Sequence, residues 1–107
     1  MKLLTKAIEK KAHKQYDSYS KEPEQDIVAK FFNPCGDGTW YLMNMDKDND
    51  YCWGIVKMMG NVEMGSFSLK VLERVELPFH LKIERDLYFT EIKSTELSEK
   101  LNNGGHH

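Results

Sequence analysis

The densest run of oxygen ligands in the chain is Asp46-Lys47-Asp48-Asn49-Asp50. A calcium loop of the EF-hand type needs oxygens at its first, third and fifth positions, a glycine at the sixth and a glutamate at the twelfth. Counted from Asp46, the sixth position is Tyr51 and the twelfth is Lys57, so the run reads as a solvated hairpin turn. Zinc fares no better. Cys35 and Cys52 are separated by sixteen intervening residues, and His13 and His80 fall in other segments, without any CxxC or HxxxH spacing. No metal site is expected. Gly36-Asp37-Gly38 lacks the lysine and the following helix of a phosphate loop, and reads as a tight connection with positive φ at one or both glycines. No cofactor motif is present. Nucleophilic catalysis at Cys35 would need a base, and nothing in the spacing brings His80 to it.

Three further groups carry chemistry of a different kind. Glu84-Arg85-Asp86 places three charges just before the apolar Leu87-Tyr88-Phe89. Alternation sends Arg85 opposite to its neighbours, where a half-buried guanidinium paired with a carboxylate would pin the chain's entry to a sheet. The functional reading of the same residues is a small cleft lined by Arg85 and Asp86. Phe31, Phe32, Trp40, Tyr41, Tyr51 and Trp53 lie on neighbouring expected strands, so at least one sheet face is aromatic. Such a face stacks nucleic-acid bases only when cations surround it, and residues 27–67 hold three lysines against five acids. Core packing and an exposed protein-binding patch are the readings that survive. Finally, residues 1–14 carry five lysines against Glu9 alone, a local +4 in a chain of formal charge −2.

The elements that position these groups follow from periodicity. After Thr5, an N-cap residue, residues 6 to about 20 read as an amphipathic helix. Leu4, Ile8, Ala12, Tyr16 and Tyr19 share one sector, and Lys6, Lys10, Lys14 and His13 fall on the other side. A polar loop is expected over 17–26. Strands are expected at 27–32, 39–45, 51–58 and, briefly, 62–64, linked by turn-forming segments as an antiparallel meander. Ser66 or Ser68 caps a short helix over 69 to about 75, closed by Leu77-Pro78. Residues 81–86 read as weakly extended, 87–89 as the last strand, and 95–101 as a helix capped by Ser94. The class is α+β, a small antiparallel sheet of four to five strands with an N-terminal amphipathic helix and one or two short helices packed on it. Residues 1–103 make one domain. Gly104-Gly105-His106-His107 read as a linker and the start of a purification tag, which sets those two histidines apart from the metal argument.

Several segments recur together in a known order and spacing. They are Leu3-Leu4-Thr5-Lys6, Ala29-Lys30-Phe31-Phe32-Asn33-Pro34 with Gly36, Gly38-Thr39-Trp40-Tyr41, Gly65-Ser66-Phe67-Ser68-Leu69 with Leu72-Glu73, and Ile83-Glu84-Arg85-Asp86-Leu87-Tyr88-Phe89. As a set they resemble the bacterial family known as domain of unknown function 2958, over about residues 2–90. The resemblance implies a small bacterial or phage protein, often carried on plasmids and integrated mobile elements, and supplies no activity. Family members commonly have a small or acidic residue where Cys35 stands, which sets that thiol outside any shared chemistry.

Composition narrows the rest. Fifteen Lys and Arg against seventeen Asp and Glu exclude a generally basic nucleic-acid binder. No apolar run approaches the ~20 residues of a membrane span. The start Met1-Lys2-Leu3-Leu4 is broken by Thr5-Lys6 and Glu9-Lys10-Lys11 before an export signal forms, and two cysteines are too few to staple a small secreted domain. A cytoplasmic location with reduced thiols is expected. The expected function is non-enzymatic: an accessory protein of a mobile element or phage that binds another protein, directed by the genomic association against a host defence system. The residues expected to carry it are Trp40, Tyr51, Trp53, Asp37 and Arg85, with the acidic turn 46–50. The alternative is a nucleic-acid-binding module using Lys6, Lys10 and Lys14. An enzyme built on Glu84, Arg85 and Asp86 lacks a nucleophile and base pair.

Overall fold

The computed structural model describes residues 2–18 and 24–107. Helix α1 (Lys6–Ser18) starts where expected, because the Thr5 hydroxyl accepts the Ile8 N–H (3.2 Å) and the Thr5 carbonyl accepts that of Glu9. Its buried side chains are Ala12 and Gln15, with Ile8 half-buried beside them. Tyr16, expected on the apolar face, is exposed, and the buried stripe runs through Gln15 instead. Residues 19–23, which include Tyr19 and half of the expected loop, lie outside the described residues.

The expected strand over 27–32 is two. Strand β1 (Asp26–Ile27) and strand β2 (Ala29–Phe32) join different sheets on either side of Val28, whose N–H still donates to the Leu42 carbonyl. Strands β3 (Thr39–Met45) and β4 (Tyr51–Met58) have the expected bounds. Strand β5 (Asn61–Ser68) is longer than the expected 62–64, because every one of its residues finds a partner on β4, from Met58–Asn61 to Tyr51–Ser68. Helix α2 (Leu69–Arg74) follows directly, its first turn capped by Ser68 Oγ on the Val71 N–H. After a short turn at Pro78–His80 come β6 (Glu84–Arg85), β7 (Ile92–Lys93) and helix α3 (Ser94–Asn102).

Two expectations fail near the C-terminus. Residues 87–89 are not a strand: the Asp86 carboxylate accepts the Tyr88 N–H (2.9 Å), folding the chain into a turn that leaves Leu87 and Tyr88 in water. The strand lies later, at β7. Ser94 is not the cap of α3 but its first residue; it is buried, and its N–H donates to the Gln25 carbonyl (2.8 Å), while Lys93 holds the cap position.

The fold is α+β. A five-stranded antiparallel sheet has the order β5-β4-β3-β2-β6, and β1 pairs with β7 in a separate two-stranded ribbon. One sheet face presents Ala29, Phe31, Leu42 and Cys52 to α1 and α2, where Ala12, Leu69 and Leu72 complete a buried cluster. The other presents Tyr41, Met43 and Ile55 to Ile27, Ile92, Leu97 and Leu101 of the ribbon and α3. Both faces are therefore covered over the middle of the sheet. A bulge at Met43 in β3 shifts the register between Leu42 and Asn44. Opposite it, Gly54 is obligatory, since a Cβ there would overlap the Tyr41 carbonyl oxygen.

Candidate functional site

At one end of the sheet, three connections meet. The 33–38 loop is tied by its own side chains: Asn33 Oδ1 accepts the Cys35 N–H (2.8 Å) and Asn33 Nδ2 donates to the Asp37 carbonyl (3.2 Å). Gly38 takes φ +123°, and its missing side chain makes room for the Trp40 indole, whose Cη2 would lie 2.8 Å from a Cβ. Beside it, β4 and β5 are joined by Met59 (φ 53°) and Gly60 (φ 80°), the positive pair of a type I′ turn. The Asp37 carboxylate accepts the Met59 N–H and fastens the two connections together. The third connection, 77–81, is closed by Leu77 N–H on the Leu81 carbonyl (3.0 Å) and touches the first where Cys35 Sγ lies 3.8 Å from the Pro78 carbonyl oxygen.

These connections hold apolar side chains out into water. Met59 is 84% exposed and Phe79 is 89% exposed, with Met58 and Leu81 each at 39%. Met59, Phe79 (φ 61°) and His80 (φ 60°) all occupy left-handed backbone, which costs a residue with a Cβ roughly 1–2 kcal/mol. Nothing buried repays that cost at Met59 or Phe79. Next to them, Val56, Met58, Met59, Asn61 and Glu63 line a shallow groove of about 330 Å³. Burial of such side chains in a partner would release apolar surface at about 25 cal/mol per Å². The chemistry available is therefore association.

Of the residues singled out from the sequence, Asp37 and Trp40 belong to this end. Trp40 is half-buried on the first core cluster, and Asp37 is exposed but engaged with the Met59 N–H. Tyr51 stands at the opposite end of β4, 49% exposed, and Trp53 packs half-buried on the second cluster. Arg85 lies on β6, at the sheet's short edge, and donates Nη1 to the Lys2 carbonyl (2.9 Å), pinning the N-terminal segment. These five residues do not form one patch. Met58, Met59, Phe79 and Leu81 were not singled out by periodicity, which assigns apolar residues to faces. Their signal lay in the turn itself, with two methionines directly before Gly60 and a phenylalanine directly after Pro78.

The acidic segment 46–50 is the expected hairpin turn between β3 and β4, with Lys47 and Asp48 exposed, and its remaining side chains also make it a joint. Asp46 Oδ1 accepts the N–H groups of Asp50 and Tyr51, and Asn49 links His13 of α1 (2.6 Å) to Glu9 (3.1 Å). Asp50 accepts from the Ser68 hydroxyl and the Lys70 N–H, which hold its carboxyl below the usual range. Among the described residues no three His, Cys, Asp or Glu side chains come together to hold a metal ion. Burial pushes the Cys52 thiol up to about 12 and keeps it protonated.

Lys6, Lys10 and Lys14 are exposed along α1, and Lys10 and Lys14 line a groove of about 470 Å³ with Lys11, Gln15 and Asp26. Lys11 is not available to an anion, because Glu91 (2.5 Å) and Asp26 (3.0 Å) both hold it and raise its pKa. Among the described residues no helix is long and apolar enough to cross a membrane. A family model described as "Protein of unknown function (DUF2958)" matches residues 3–103. No curated protein and no solved structure matches the chain.

Proposed function

We propose, on the premise that this chain belongs to the DUF2958 family, that it is a protein-binding module whose contact surface is the end of the sheet carrying Met58, Met59, Phe79 and Leu81. The observation that carries this reading is the pair Met59 and Phe79, two large apolar side chains held almost fully in water on left-handed backbone. Left-handed residues with a Cβ persist where the surrounding structure holds them, and they cluster at ligand clamps and other functional sites. The partner this surface suits is a protein with an apolar ridge or helix face, since the shallow groove offers few polar groups to fix a small molecule. The wider role, an accessory protein of a mobile element or phage directed at a host defence protein, rests on the sequence resemblance, and its cytoplasmic location on the two cysteines and the interrupted N-terminal segment.

The test is reconstitution. A host protein captured stoichiometrically is purified and bound again to wild type, to the Met59→Asn/Phe79→Asn double variant, and to Lys6→Glu/Lys10→Glu/Lys14→Glu. Binding lost by the first variant and kept by the second supports the reading; equal binding by all three sinks it. The second reading, nucleic-acid binding, draws on the exposure of Lys6, Lys10 and Lys14. Gel shifts with DNA and RNA at two salt concentrations test it, since a phosphate contact weakens steeply with salt. No shift at low salt removes it.

A further inference from the structure

The two edges of the five-stranded sheet differ in a way that neither core nor docking end requires. The β6 edge is two residues long, and the N-terminal segment is tied to it through Arg85 and the Lys2 carbonyl. The β5 edge is eight residues long, and among the described residues β5 pairs with β4 alone. Of the features by which edges are protected it carries a single charge, Glu63, with no lysine, no arginine, no proline and no bulge in its pairing with β4.

The hairpin fixes which backbone groups are free. In a two-residue type I′ connection the closing pair, Met58–Asn61, exchanges both hydrogen bonds, and in an antiparallel ladder such pairs alternate with non-bonded ones. Val56–Glu63, Gly54–Gly65 and Cys52–Phe67 are then bonded pairs. The N–H and C=O groups of Val62, Met64 and Ser66 consequently point away from β4, as three consecutive donor and acceptor pairs.

We propose that this edge pairs with the same edge of a second copy of the chain, antiparallel about a two-fold axis at Met64. That register sets Met64 against Met64, Val62 against Ser66, Glu63 against Gly65 and Asn61 against Phe67, and engages every outward backbone group of residues 62–66. The strand is self-complementary in it. The one charged side chain of β5, Glu63, faces a glycine and not its own copy, and the half-exposed Met64 meets an identical apolar side chain. A shift by two residues toward the turn would place Glu63 against Glu63, and a shift of one would put opposed side chains on different faces. The result is one continuous sheet through both copies. Met59 and Phe79 lie off the paired strand, while Asn61 and Glu63 of the adjoining groove lie on it. The pairing does not rest on the reading given to the docking end, and Met64, which the groove does not include, tests it separately.

Sedimentation velocity on the full chain over a concentration series tests the pairing, together with cysteine cross-linking in a Cys35→Ser background. The expected result is a reversible dimer. Met64→Cys closes a disulfide across the axis under mild oxidation, since facing Cα atoms in a bonded pair lie within reach. Ser66→Cys, facing Val62 of the other copy, does not. Met64→Lys sets two ammonium groups against each other at a position whose backbone bonds β4 does not use; the dimer is expected to weaken by at least about tenfold while the thermal melt of the monomer is kept. A chain that stays monomeric at every concentration, or a dimer indifferent to Met64→Lys, overturns the proposal.

Discussion

The two ends of the five-stranded sheet are closed by opposite chemistry. At one end, Asp46, Asn49 and Asp50 spend their polar atoms on the backbone and on α1, β4 and α2, and Gln15, Gln25 and Asn44 form a buried polar chain behind them. At the other, Met58, Met59, Phe79 and Leu81 stand in solvent on turns with positive φ. The polar end is satisfied internally and holds elements together. The apolar end has hydrogen bonds at its turns but buries neither the Met59 nor the Phe79 side chain in return for their left-handed backbone. A protein stabilised at one end and unsatisfied at the other separates folding from recognition, so substitutions at the two ends should move different observables.

The largest expected effect is at Gln15. Its side-chain amide donates to the carbonyls of Met43 (2.6 Å) and Asp26 (3.0 Å) and accepts the Asp26 N–H (3.2 Å), joining α1 to the bulge and to the ribbon. Gln15→Leu fills similar volume but leaves the Met43 carbonyl unpaired in a dry site, and should cost about 3 kcal/mol in urea denaturation. Partner binding per folded molecule should be unchanged. A loss under 1 kcal/mol would mean that the polar end is not the stabilising one.

Asn49 comes next, because two effects can be separated there. Its φ of 55° suits asparagine, and its side chain joins His13 and Glu9. Asn49→Gly keeps the backbone and removes the contacts, at about 1 kcal/mol; Asn49→Ala removes the contacts and adds strain, at about 2 kcal/mol. Equal losses would show that the side-chain bonds matter and the left-handed conformation does not.

The sequence made one of these ends legible as a fold and neither as a site. Strands β3 and β4, a serine cap at Ser66 or Ser68 and the start of α1 were readable because their signals are local: alternation, a hydroxyl before an apolar run, a 3.6-residue stripe. The extension of β5 through Gly65 and Ser66 was not, since those residues are poor strand formers and become strand only through pairing with β4. The same holds for Leu87 and Tyr88, which look like a strand until the Asp86 carboxylate turns the chain. Gln15 reads as an ordinary surface residue of a helix. Its role depends on a bulge at Met43, and bulges leave no periodic trace.

At the apolar end the expected sign is reversed. Met59→Asn installs the Asn-Gly pair that type I′ turns favour, and Phe79→Asn relieves a left-handed aromatic residue. Each should leave stability unchanged or raise it by up to about 1 kcal/mol, read from the denaturation midpoint at constant slope. Binding to the reconstituted partner should fall in both. Destabilisation by either would assign the exposed side chain to the fold and remove the contrast between the ends.

The smallest effect concerns charge at the polar end. Asp26 accepts from Lys93 (2.9 Å) and Lys11 (3.0 Å), which link the ribbon to α1, and these bonds, that of Lys93 first, hold its carboxyl below the usual range. A carboxyl lowered in the folded state contributes stability that is present above its unfolded value, 3.8, and lost as pH falls through the folded one. The advantage of wild type over Asp26→Asn should therefore be constant near neutrality and be lost in acid, as pH falls from the unfolded value of 3.8 through the lowered folded one. The cluster is solvent-screened, so the advantage should not exceed ~1 kcal/mol at low salt and should shrink as salt is added. An advantage that persisted in acid would assign the effect to packing of Asp26 and not to its charge, leaving the polar end held by neutral hydrogen bonds alone.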